Sequence, residues 1–61
     1  MPEIWTIVYR DGDFVAAHPI ESREGALEAA RVMRDAGRRI LAIRRGRKVL
    51  GADAVERLIG G

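Results

Sequence analysis

The stretch SREGALEAARVMRDAG, from Ser22 to Gly37, is the one segment of this 61-residue chain whose length and periodicity alone specify a helix. At about 100° per residue, Glu24, Glu28, Arg31 and Asp35 form a charged stripe, and Ala26, Ala29, Ala30, Met33 and Gly37 fall on the opposite side. Leu27 and Val32 flank the apolar side. The alanines near its middle allow close approach to whatever the helix covers, which suits a helix lying on a sheet. Ser22 is a good N-cap with Glu24 in the first turn, Gly25 stands where a capping box would place Glu or Gln, and Gly37 is a natural left-handed stop.

Upstream, residues 3 to 10 read as a strand rich in β-branched and aromatic side chains, and Asp11-Gly12 is a two-residue hairpin signal before a second strand from Asp13 to His18. That turn sets Arg10 against Asp13, Tyr9 against Phe14, Ile7 against Ala16 and Trp5 against His18. One face then carries Trp5, Ile7, Tyr9, Phe14, Ala16 and His18, and the other Ile4, Thr6, Val8, Val15 and Ala17. Pro19 removes a ladder donor, so the chain is expected to leave the sheet there.

Downstream, a third strand is expected from Arg39 to Arg44, with Ile40 and Ala42 on one side and Leu41 and Ile43 on the other. Returned by a helix, it runs parallel to the second strand and pairs with the first, giving order 2-1-3 with a right-handed crossover. Arg45, Gly46 and Arg47 suggest a turn, Lys48 to Leu50 a short fourth strand, and Asp53 with Glu56 a capping box for a helix over Ala54 to Ile59 that buries Val55, Leu58 and Ile59. The competing reading makes 54–59 a last strand. The fold class is α+β: a three- or four-stranded, mainly antiparallel sheet covered by one long helix, with a short C-terminal helix, as a single domain over 1–61.

Composition narrows the chemistry. There is no cysteine for a disulfide or thiolate site, and His18 is the only imidazole. Met1, Pro2 and Glu3 are not the basic start of a signal peptide, and the longest apolar run, Ile40 to Ile43, is too short to span a bilayer, so a cytosolic protein is expected. The net charge of +2 hides a segregation: residues 1–30 balance to −4, residues 31–48 to +7 and residues 49–61 to −1. All the cations but Lys48 are arginines, and there is no Asn or Gln to read adenine, so arginine to guanine is the main direct base contact left.

Catalytic and metal arrangements are not expected. Ser22 is used as a cap, Asp11 and Asp13 flank Gly12 without the later carboxylate of a calcium loop, and Glu24 and Glu28 belong to the charged stripe. Two surfaces remain as candidates. A sheet apolar on both faces needs a second cover, either the terminal segment or another copy of the chain, and Trp5, Ile7, Tyr9 and Phe14, or the opposite aliphatic face, are the candidates for self-contact. Arg38, Arg39, Arg44, Arg45, Arg47 and Lys48 form a basic cluster suited to an acidic partner or to phosphates.

From Trp5 to Val49, the hairpin, the Ser-Arg-Glu-Gly-Ala-Leu-Glu-Ala-Ala-Arg run and the apolar strand after it resemble small bacterial hairpin-helix-strand domains of unknown function. The resemblance implies a fold and transfers no active residues. The terminal Gly60-Gly61, with a hairpin, a crossover helix and later strands, resembles the ubiquitin-like sulfur carriers, whose diglycine carboxylate is activated by a partner enzyme; that resemblance requires 54–59 to be a strand. The expected role is a non-enzymatic, homo-oligomeric interaction module, a dimer by default, without cofactor, metal or membrane. Nucleic-acid binding through residues 38–48 is the alternative, and a diglycine carrier the second.

Overall fold

The computed structural model describes residues 3–60. In chain order the elements are β1 (Trp5–Asp11), β2 (Phe14–Ile20), α1 (Arg23–Asp35), β3 (Arg39–Arg45), β4 (Lys48–Gly51) and α2 (Ala52–Leu58). The strands form one antiparallel sheet in the order β2-β1-β3-β4, so β1, the strand with the largest apolar side chains, is central beside β3. Helix α1 packs across β2, β1 and β3, α2 packs on β3 and β4, and the helices touch each other. The shortest dimension, 16 Å, is that of one helix layer on one sheet layer.

The long helix forms as its caps dictate. The Ser22 hydroxyl accepts the Gly25 amide at 3.0 Å, and at the other end Gly37 at φ +92° lets Arg38 N–H reach Met33 C=O and Gly37 N–H reach Arg34 C=O, a Schellman closure. Ala26 and Ala30 are completely buried, and Leu27, Ala29 and Met33 pack beside them. Val32 does not flank this contact; it points to solvent. On the charged stripe Arg31 and Glu28 pair at 2.8 Å, and this hydrogen bond, with the charge of Glu28 adding to it, raises the Arg31 guanidinium above its ordinary pKa.

The first hairpin differs from the expected register. The turn is Gly12-Asp13 rather than Asp11-Gly12, so Asp11 faces Phe14, Tyr9 faces Ala16, Ile7 faces His18 and Trp5 faces Ile20. A type I′ turn over Asp11-Gly12 would need φ > 0 at the aspartate too, whereas this turn asks it only of Gly12, at φ +60°. The slip is of two residues, so every side chain keeps its face while every partner changes. Strand β2 also continues through Pro19, which pairs with Thr6; β2 is an edge strand, where a missing N–H is tolerated.

Strict alternation fails in β3. Ile7 faces Ile43 and Val8 faces Ala42, but Tyr9 faces Ile40, so the ladder carries a bulge and Leu41 is the extra residue. Ile40 and Ile43 therefore share the core face instead of lying on opposite sides. Residues 54–58 are helical and Ile59 is the C-cap, but α2 starts earlier than expected: Gly51 is the N-cap, with no side-chain cap, and Asp53 lies in the first turn. Val55 and Ile59 are buried, whereas Leu58 is partly exposed. The core is Trp5, Ile7, Ala26, Ala30, Ile40, Ile43, Val55 and Ile59, with no buried polar side chain among the described residues.

Candidate functional site

Both helices lie against the same side of the sheet, because every core residue of β1 and β3 faces the same way. Pleat alternation then assigns the other side. It carries Thr6, Val8 and Arg10 from β1, Val15, Ala17 and Pro19 from β2, Arg39, Ala42 and Arg44 from β3, and Val49 from β4, with Ile4 leading in. No element of the described chain covers this side. Val15 is 63% exposed, Val49 59% and Ile4 43%, while Val8, in the middle strand, is half-buried by its neighbours.

This placement sorts the residues read as self-contact candidates. Trp5 and Ile7 are buried under the helices, and Tyr9 packs half-buried at the edge of the same core, so these three are cover for the helices and do not form a free surface. Phe14 shares their side of the sheet but sits at the hairpin end beyond the reach of α1, and it is 78% exposed. The surface that remains open is the aliphatic one.

The basic cluster does not form one patch. Arg38 lies 5.9 Å from the Tyr9 ring and pairs with Asp11 at 3.4 Å; Arg45 lies 5.2 Å over the Trp5 ring and pairs with Glu3 at 3.4 Å. Both guanidinium groups shield aromatic edges of the core. Arg39 and Arg44 project instead on the open side, at opposite ends of a strand roughly 20 Å long at ~3.3 Å per residue. Arg47 is in the β3–β4 turn, and Lys48 pairs across the ladder with Arg45. Linear clustering was separated by strand length and by alternation.

One cation was missed by reading the sequence. Arg10 faces Arg39 across the β1–β3 ladder and joins it on the open side, while its Nε donates to Gly12 C=O at 3.1 Å. The signal was available in the pairing of the first and third strands, since Arg10 has the alternation phase of Thr6 and Val8. The open side thus has a β-branched and alanine centre with Arg10 and Arg39 at one end and Arg44 at the other. None of these three is in an ion pair among the described residues.

His18 is exposed on the edge strand and Ser22 is occupied as a cap. Among the described residues no group of three or more His, Asp or Glu side chains is placed to hold a metal ion, and no helix is long and apolar enough to cross a membrane. Helix α2 stands where the sulfur-carrier resemblance needs a strand, and Gly61 lies outside the described residues. Comparison with models of known families, with curated proteins and with solved structures finds no match.

Proposed function

We propose that this chain is a non-enzymatic interaction module that pairs with a second copy of itself through the open face of its sheet. The observation that carries the reading is the placement of both helices on one side, which leaves Ile4, Val8, Val15, Ala17, Ala42 and Val49 facing water. A second sheet stacked on this face removes those side chains from solvent, as the facing layers of a sandwich do. The chain gains from it: below about 70 residues a single core supplies only ~3–5 kcal/mol.

The size of the face sets the strength of the pairing. Three strands of seven residues, roughly 20 Å long, and the four-residue β4, about 13 Å long, spaced about 4.8 Å apart, present on the order of 350 Å² per partner. That is below the size of a standard specific interface, in the range where contacts are weak and transient. Association in the micromolar to millimolar range follows. Sedimentation equilibrium across that range tests it: the expected result is a reversible monomer–dimer equilibrium, and a single monomeric mass at every concentration refutes it.

One observation favours a second reading on the same face. Arg10, Arg39 and Arg44 are unpaired there, and arginines on an open sheet grip phosphates. Trp5, Tyr9 and the exposed Phe14 all lie on the opposite side of the sheet, so base stacking contributes nothing on this face. Binding would be electrostatic and insensitive to sequence, and three phosphate contacts limit the salt slope to about −3. An absence of binding to duplex or single-stranded DNA at low salt removes this reading.

A further inference from the structure

The end of the sheet where Trp5 opens β1 and Arg45 closes β3 is not fully roofed by the helices. Between Arg23, the first residue of α1, and Leu58, the last of α2, lies a cleft of about 190 Å³. Trp5, Ile43 and Leu50 line it from the sheet, Leu58 from α2, and three cations, Arg23, Arg45 and Lys48, complete the lining. Among the described residues no acidic side chain lines it. Arg45 is engaged with Trp5 and Glu3, but Arg23 and Lys48 are in no ion pair among the described residues.

We propose that this cleft binds a small organic anion: one flat or branched apolar group bearing a single carboxylate or phosphate. The apolar lining takes the body and the cations take the head, so the two halves of the lining ask for the two halves of one amphipathic molecule. Volume sets the size. An apolar cavity of about 150 Å³ holds benzene, so this cleft takes one ring with its head group at the rim. Pockets for drug-sized ligands begin at about 300 Å³. The site lies on the helix side of the sheet and does not depend on the pairing proposed above.

Trp5 is the only tryptophan of the chain and lines the cleft, so its fluorescence reports occupancy directly. The experiment titrates the full chain with phenyl phosphate, benzoate, inorganic phosphate and benzyl alcohol. Saturable change with phenyl phosphate or benzoate is expected, the tighter of the two naming the head group, with inorganic phosphate and benzyl alcohol each at least roughly tenfold weaker. Arg23→Gln and Lys48→Gln, both exposed positions, are each expected to weaken binding roughly tenfold or more, a charge-assisted contact's share, while Arg38→Gln, beside Asp11 at the hairpin end of the sheet, leaves it unchanged. Benzyl alcohol or inorganic phosphate binding as well as the organic anions overturns the proposal. So does indifference to Arg23→Gln and Lys48→Gln in variants that keep the native circular dichroism, or the absence of saturation by either anion at millimolar concentration.

Discussion

Gly25 sits so close to its own helix cap that a Cβ there would stand 2.8 Å from Ser22 Oγ and 3.1 Å from Ile20 Cγ2. The glycine that breaks the capping-box pattern is therefore the residue that lets the hydroxyl reach the Gly25 amide and lets Ile20 pack under the first turn. The two positions are coupled. Ser22→Ala is expected to cost about 1 kcal/mol. Gly25→Ala, which in an open helix would gain up to about 1 kcal/mol, is expected to gain nothing, because it displaces the hydroxyl and crowds Ile20. In the Ser22→Ala background it should be more favourable by several tenths of a kcal/mol or more. Urea unfolding of the four proteins closes the cycle, and strictly additive values refute the coupling.

Ile43 and Leu41 are separated by one residue and are expected to respond very differently. Ile43 is fully buried against both helices' side of the sheet, whereas Leu41 is the extra residue of the bulge, half-buried and outside the core. Ile43→Ala should cost about 3 kcal/mol, most of the stability of a domain this small. Leu41→Ala should cost about 1 kcal/mol. Equal losses in chemical denaturation would mean that the strand alternates without a bulge.

The contrast shows what the sequence made legible. Helix α1 was readable because its period, Ser22 and Gly37 all act locally, and the strand order followed from the helix that returns the chain. The hairpin turn was not, because one glycine serves equally in Asp11-Gly12 and Gly12-Asp13; the choice depends on which neighbour must take φ > 0. The bulge left no mark, since Ile40 to Ile43 is apolar at every position. Which face the helices cover was also unreadable from hydrophobicity, both faces being apolar. The fold places the large side chains, Trp5, Ile7, Ile40 and Ile43, against the alanines of α1, and leaves the smaller Val8, Val15, Ala17 and Ala42 outside.

Phe14 and Val15 are adjacent, both exposed, and on opposite sides of the sheet. Pairing through the open face predicts that Val15→Glu abolishes association while Phe14→Ser leaves it intact, with little change in monomer stability from either, since neither side chain is buried. Sedimentation of the two variants beside the parent decides it. Loss of association in Phe14→Ser alone would move the interface to the helix side and to the hairpin tip.

The sign of the salt dependence separates the two readings of the open face. In a symmetric pair Arg10, Arg39 and Arg44 of one copy meet the same residues of the other, so the rim repels and the centre attracts. Added salt screens the rim over a Debye length that falls from about 30 Å at 0.01 M to about 8 Å at 0.15 M, and salt therefore strengthens pairing. Arg10→Ser with Arg44→Ser should tighten it further. Contact with a polyanion has the opposite sign, since counterions are released and affinity falls as salt rises; the same two substitutions would then weaken binding. Sedimentation between 0.01 M and 0.5 M NaCl, with and without a duplex oligonucleotide, measures both signs in one series. Pairing that weakens as salt is added would show that attractive charge contacts, and not the exposed valines, hold the copies together.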